Sequence, residues 1–203
     1  MPDVITCPSC NRNNGVRRTS CLYCGAPLPV TETSAALQVP TLRPVEEWEK
    51  GFDLTLMSTV RLCKAALPHL KQSEQGRIVV ITSTSVREPI ATLILSSAFR
   101  TAVVQTLKTM SGELAPHGVT VNNIAPGRFL TDRVRQLDGA AAAKEGISQE
   151  EYTERNVKAT IPMGRIGDPA EFGATCAFVC SKHASFMTGQ TIVVDGGQTK
   201  GVY

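Results

Sequence analysis

Aromatic residues are scarce in this chain, with one Trp, three Tyr and six Phe among 203 residues. Neither Gly-x-Gly-x-x-Gly nor Gly-x-x-x-Gly-x-Gly occurs anywhere. No segment therefore supplies the glycine-rich turn that cradles a pyrophosphate at a helix N-terminus. No apolar run approaches the length of a membrane span. The opening Met-Pro-Asp-Val-Ile-Thr has neither the basic start nor the apolar stretch of a secretory signal. A net charge of +3 is too small to argue for nucleic acid by itself. With 42% apolar and 19% charged residues, the disordered and membrane classes fit poorly. These absences leave a globular chain with room for one good core and a small satellite, expected in the cytoplasm and with no membrane partner.

Cysteine is the residue in surplus, with seven in all. Without a secretion signal, a reducing compartment is expected, and paired thiols then call for metal before disulfides. Cys7, Cys10, Cys21 and Cys24 form two Cys-x-x-Cys pairs separated by ten residues. Each pair can wrap a tight turn with both thiolates facing one ion, and four sulfurs complete a closed tetrahedral shell with no position left for water. Structural Zn2+ is the expected occupant, and a redox pair is the alternative chemistry. Asn13, Asn14 and Gly15 carry turn chemistry for a hairpin between the pairs, and Gly25 suits the backbone that must approach sulfur. Residues 1–30 thus resemble a short zinc ribbon, which would need its metal to fold. Arg12, Arg17 and Arg18 make it mildly basic, so a protein or nucleic-acid partner is one reading and a solvated face the plainer one.

Residues 31–43, proline-containing and rich in Thr and Ser, read as a linker. Pro44, followed by Glu46 and Glu47, opens a helix. Its stripe of Trp48, Phe52, Leu56, Val60, Cys63, Leu67 and Leu70 recurs at helical spacing, so one long helix is expected over 44–72. Arg77 to Ser83 is a short β-branched run suited to a buried strand. A helix follows from Ile94 to Leu114, closed by Pro116 and Gly118, then a strand from Val119 to Ile124. Asp168, Pro169 and Glu171 spell a cap, a first-turn proline and a capping-box acid for a helix to Cys180. Thr191 to Val194 forms a third strand, ended by Asp195-Gly196-Gly197. This alternation is the grammar of crossovers in a parallel α/β sheet.

The stretches Ala66-Leu67-Pro68-His69, Gly76-Arg77-Ile78-Val79, Gly118-Val119-Thr120-Val121-Asn122, Ala125-Pro126-Gly127, Gly164 through Glu171, and Thr188-Gly189 through Gly197 stand in a specific order. In that order residues 44–203 resemble the C-terminal part of short-chain dehydrogenases/reductases, close to the β-ketoacyl-acyl-carrier-protein reductases. The resemblance implies the C-terminal part of a Rossmann-type doubly wound parallel sheet, of about three strands plus helices, lacking the dinucleotide-binding first half. It also implies an NAD(P)-dependent oxidoreductase of carbonyl or hydroxyl substrates.

The same resemblance places the family's catalytic serine on Ser83, its tyrosine on Ser96, its lysine on Arg100 and its helix asparagine on Thr55. A phenol beside an ammonium is a tunable proton donor. Ser96 is a far weaker acid, and Arg100 keeps charge but with a rigid fork. Pro126, Gly127, Thr131 and Arg100 would hold the nicotinamide side of NADP or NAD. The family's strand beside Arg77 to Ser83 is missing, so an open edge is expected there, covered by a partner, a second copy or the linker. Helices 44–72 and 94–115 are the expected surfaces of a homo- or hetero-oligomer. Two function classes follow: a reductase completed by another subunit, or a catalytically silent assembly module whose ribbon does the binding. His69, His117 and His183 fall at helix ends or loops, where capping suffices, and Cys176 and Cys180 are too few for a metal site.

Overall fold

A computed structural model describes residues 4–15, 20–28 and 43–201. They fall into two units, Met1–Leu42 and Arg43–Tyr203. Of the expected features, Arg17, Arg18 and the linker from 31 to 42 lie outside the described residues.

In the smaller unit, β1 (Val4–Thr6) pairs antiparallel with β2 (Asn13–Gly15). Asn13 to Gly15 therefore form a strand and not the expected hairpin turn. The reversal is made by residues 7–12, because each cysteine pair builds its own closed turn. Asn11 N–H donates to the Cys7 carbonyl at 2.9 Å and Cys7 N–H to Arg12 at 2.9 Å. The second pair repeats this with Gly25 N–H to Cys21 at 3.0 Å and Cys21 N–H to Ala26 at 2.8 Å. Asn11 (φ 58°) and Gly25 (φ 72°) occupy the left-handed region at equivalent positions, which only glycine and asparagine adopt cheaply. Cys7, Cys21 and Leu28 form the core of this unit.

The larger unit opens with α1 (Val45–Gly51) and α2 (Ser58–Leu70), joined by a π-helical stretch at Phe52–Met57. The sequence predicts one unbroken α-helix here. The widened turn lies where the helix crosses α3 (Ile94–Leu114) most closely: a Cβ on Gly51 would come within 2.9 Å of the Phe99 ring, and Trp48 and Phe52 meet that ring edge-on. β3 (Arg77–Ile81), β4 (Thr120–Pro126) and β5 (Thr191–Val194) form a parallel sheet in that order. In its register Ile78 pairs with Val121 and Ile124 with Ile192. Every residue from Thr120 to Ala125 is buried, on both parities of the strand, so β4 is covered on both faces. α3 packs on β4, and α6 (Pro169–Cys180) on β3 and β4. Cys63, Ile78, Val103, Leu107, Leu114, Val119 and Val121 make the main core. α4 (Asp132–Glu145) and α5 (Gln149–Thr160) pack on each other between β4 and α6 in the chain. Among the described residues no strand pairs with the outer edge of β3.

Candidate functional site

Parallel strands carry their ligands in the crevice beyond their C-terminal ends, and here the ends of β3 and β4 point to one place. Thr82 N–H still donates to the Ile124 carbonyl at 2.9 Å, so the chain leaves the sheet only at Ser83. Ser83 is extended and half-buried, and its Oγ accepts from Ser85 N–H at 3.2 Å. One strand over, β4 ends on Pro126, and Gly127 N–H donates to Val194 at 2.9 Å. A side chain on Gly127 would meet the Cβ and Cα of Asp195 at 2.6 and 2.8 Å, so only glycine lets the two turns approach. Burial works to raise the Asp195 carboxyl, but the N–H and hydroxyl of Thr199 and the N–H of Gly197 outweigh it and hold the group below its ordinary range.

The first turns of α3 deliver Ser96 and Arg100 to the same region. Arg100 Nε donates to Ser96 Oγ at 3.0 Å, the i to i+4 spacing of one helical face. The other end of the guanidinium reaches the sheet, donating to the Thr82 carbonyl at 3.2 Å and, at 3.5 Å, to Ile81. Arg100 thus ties the helix to the strand one residue before Ser83. Thr55 lines the same 210 Å³ cavity as Arg100. It sits in the π-helical stretch, where its carbonyl accepts from Thr59 Oγ1 at 3.0 Å. Thr131 takes a different place: it caps α4, its Oγ1 accepting from Val134 N–H at 3.4 Å. The structure therefore groups Ser96, Arg100 and Thr55, sets Ser83 at the adjoining strand end with Pro126 and Gly127 beyond it, and gives Thr131 a helix-capping bond. Buried hydroxyls of Thr82, Ser85 and Ser97 around this crevice have no hydrogen-bond partner.

Sequence reasoning passed over a second cluster beside it. Arg128, directly after Gly127, donates to both carboxylate oxygens of Asp138 at 2.5 and 2.7 Å, and Thr153 Oγ1 adds a bond at 3.0 Å. Asp138 is 3% exposed. α4 and α5 are fastened by this acid to the loop that follows β4. An acid within a stretch of otherwise exposed charges gives no periodic signal of burial, so only the fold reveals it.

The smaller unit gathers Cys7, Cys10, Cys21 and Cys24, whose Sγ atoms all lie within 4.8 Å of one another. Cys7 and Cys24 are 3.6 Å apart and Cys10 and Cys21 3.5 Å. The tetrahedral edge implied by Zn–S bonds of about 2.3 Å is close to these, roughly 3.8 Å. The N–H of Arg12 works to lower the Cys10 thiol, yet burial and the neighbouring sulfurs push it up to about 12. Burial works to raise Cys21, yet the N–H groups of Tyr23 and Cys24 and the sulfur of Cys10 pull it down to about 6. Four sulfurs this close cannot all carry charge unless a cation sits among them. Asn14 supports the cluster, donating to Cys21 Sγ at 3.6 Å and accepting from Leu22 N–H at 2.9 Å.

Residues 38–199 match the family described as enoyl-(acyl carrier protein) reductase. The chain belongs to the short-chain dehydrogenase/reductase family. It is 35% identical over 158 residues to the NADPH-dependent reductase BacG of Bacillus subtilis, a match covering 78% of this chain and 61% of BacG. It is likewise 35% identical over 152 residues to the 3-oxoacyl-[acyl-carrier-protein] reductase FabG of Vibrio cholerae, covering 75% and 57%. The chain thus spans about half to three fifths of the length of the curated relatives it matches. Among solved structures it is similar to YwfH, an NADPH-dependent reductase involved in bacilysin biosynthesis, with TM-score 0.74, 33% identity and coverage of 79% and 61%. It is also similar to an NADPH-bound short-chain oxidoreductase from Pseudomonas aeruginosa PAO1 described as containing an atypical catalytic center. There the TM-score is 0.68, the identity 29% and the coverage 78% and 60%. No described helix is long and apolar enough to cross a membrane.

Proposed function

We propose that the larger unit is the nicotinamide-side half of an NAD(P)-dependent oxidoreductase acting on carbonyl or hydroxyl groups, with 3-oxoacyl compounds the substrate class to test first, and that its turnover requires a second polypeptide. The observation that carries this reading is the Arg100 to Ser96 bond anchored on the carbonyl of Thr82 beside Ser83. It keeps a cation and two hydroxyls where the strands end. The residues present fit the nicotinamide end of the cofactor, with Pro126, Gly127, Thr131 and Arg100 to hold it. The described residues offer no glycine-rich cradle for its pyrophosphate. A bound nicotinamide supplies or accepts hydride. Ser83 would hold the substrate oxygen. Ser96 would hold the proton at its Oγ, where the Arg100 N–H favours the alkoxide that forms when the proton leaves. Arg100 itself does not give up a proton.

Titrating the zinc-loaded full chain with NADPH and NADH, followed by fluorescence and absorbance, tests the proposal. Saturable binding in the micromolar range, weakened in Arg100→Met, is the expected result. Flat titrations overturn it and favour the second reading, a catalytically silent assembly module, which the replacement of a phenol by Ser96 supports on its own.

For the smaller unit we propose structural Zn2+ held by Cys7, Cys10, Cys21 and Cys24. The four sulfurs close the shell, and the paired turns aim backbone N–H groups at them, as the 3.4 Å approach of Tyr23 N–H to Cys21 Sγ shows. Arg12 lies over the Tyr23 ring at 4.7 Å, which leaves this face for a protein or nucleic-acid partner. Oligomerisation through helices 44–72 and 94–115 belongs to the same proposal, with exposed Leu54 as an apolar contact.

A further inference from the structure

The outer edge of β3 borders a long slot. A cavity of 460 Å³ lies between this strand and α2, with Leu62, Cys63 and Ala66 on the helix side. It meets the 210 Å³ cavity of Thr55 and Arg100, because Thr59, Val80 and Ile81 line both. The slot therefore runs the length of β3. Its walls are mainly apolar along α2, while Thr55, Ser58 and Thr82 line the Arg100 end, and Leu62 and Ile81 stand 72% and 52% exposed. Among the described residues two charged side chains line it, Arg77 at one end and Arg100 at the other, and both are cationic. Arg77 Nε is buried without a hydrogen-bond partner. The strand bordering this slot is also undefended. It has no proline and no inward-pointing acid, the devices by which edges are usually blunted.

We infer that the slot takes an extended, β-branched apolar segment with acidic flanks, from a partner polypeptide other than a second copy of this chain, as an added strand on β3. Backbone N–H and C=O groups of such a segment would complete the β3 ladder. Its alternate side chains would fill the space under α2, and its flanking carboxylates would reach Arg77 and Arg100.

A second copy fits poorly on two counts. Antiparallel pairing of β3 about Val79 sets Arg77 of one copy beside Ile81 of the other. Arg100 is fastened to the carbonyls of Ile81 and Thr82, so two cations would meet at each end of the seam. The pairing would also bring a second α2 to a slot of 460 Å³, whereas a 13-residue helix about 10 Å across fills on the order of 1,500 Å³. A bare strand has no such helix to accommodate. The slot opens into the Arg100 cavity, so its occupant also closes the crevice described above. The binding itself stands whether or not that crevice turns over substrate.

The probe is a fluorescein-labelled peptide with the core Thr-Val-Ile-Val-Thr between two Glu residues, added to the full zinc-loaded chain at low salt and read by anisotropy. Two controls carry Lys flanks or a central Pro. Saturable binding of the Glu-flanked peptide is expected, with the Lys-flanked one weaker by roughly fivefold and the Pro-interrupted one silent. Arg77→Glu should reverse the charge preference. Leu62→Glu, on an exposed helix position that leaves the fold intact, should abolish binding. No binding of the Glu-flanked peptide, or equal binding of the Pro control, overturns the proposal. A dimer in sedimentation that Leu62→Glu dissolves also overturns it, since a second copy then holds the edge. NADPH titration of the same samples separates this from the catalytic reading, because peptide binding with a flat NADPH response leaves only the present proposal standing.

Discussion

A guanidinium at position 100 changes what a hydroxyl four residues earlier can do. An ammonium lowers the pKa of a nearby phenol toward neutral pH, whereas a serine hydroxyl begins too far from that range for one cation to bring it there. Two of the three Arg100 nitrogens are also engaged, one on Ser96 and another on the Thr82 carbonyl. Proton delivery is therefore the predicted weak step once cofactor is bound. Ser96→Tyr combined with Arg100→Lys should raise the single-turnover rate of ketone reduction at saturating NADPH by about 10²-fold or more, the usual contribution of a placed general acid. An unchanged rate with intact cofactor binding would locate the deficit elsewhere. The buried acid beside this site invites a stability test. Asp138→Asn leaves the Arg128 cation facing a neutral partner in a site where the acid was 4% exposed, and about 3 kcal/mol of stability should go in urea unfolding. Replacing both by apolar residues, Arg128→Met with Asp138→Leu, should cost less than the single change, because no unpaired charge remains.

At the scale of elements, α6 shows how local signals write themselves into structure. Asp168 accepts from Ala170 N–H at 2.7 Å while Glu171 accepts from Asp168 N–H at 2.8 Å, the reciprocal box that the spacing predicts. Arg165 adds two bonds to the Glu171 carboxylate at 2.7 and 2.8 Å and, with the Asp168 N–H, holds its pKa down to about 2. The folded value lies below the unfolded one near 4.3, so this contribution is whole above that pH and is lost as pH falls toward about 2. The melting temperature of Glu171→Gln should therefore trail that of the parent at neutral pH, and the gap should close between about pH 5 and pH 2. A gap independent of pH would show the carboxylate charge to be irrelevant.

Elements with such self-contained signals were legible from residues alone. Ile94–Leu114 ends where Pro116 and a left-handed Gly118 close it, and Thr191–Val194 stops at Asp195. What stayed hidden depends on distant partners. The π-helical stretch follows from Gly51 meeting Phe99, and α4 and α5 are set by Arg128 reaching Asp138. Asn13 to Gly15 carry turn residues, yet they pair with Val4 to Thr6 because the cysteine turn has already reversed the chain. For the candidate site, the spacing of Ser83, Ser96 and Arg100 was visible. That Arg100 bridges helix to strand, and that Thr131 serves as a cap, was not, since neither leaves a mark on spacing.

At the scale of the whole molecule the two units rest on different physics. The larger has a parallel sheet with a buried central strand and an apolar core running from Cys63 to Val121. Among the described residues the smaller has little more than Cys7, Cys21 and Leu28, far too small an apolar set to offset the entropy of ordering them. If four thiolates around one Zn2+ supply that difference, then removing the metal should dissolve one unit and spare the other. The full chain should carry one zinc, and Co2+ substituted for it should show the intense visible bands of a tetrahedral tetrathiolate site. A strong chelator should erase amide dispersion from residues 4–28 in NMR spectra while resonances of β3, β4 and β5 keep their positions, and Cys7→Ser with Cys24→Ser should reproduce that pattern without chelator. Dispersed ribbon signals persisting in the metal-free protein would mean that the paired turns and Asn14 hold the unit by themselves. Collapse of the sheet resonances with those of the ribbon would mean instead that the larger unit cannot stand without it.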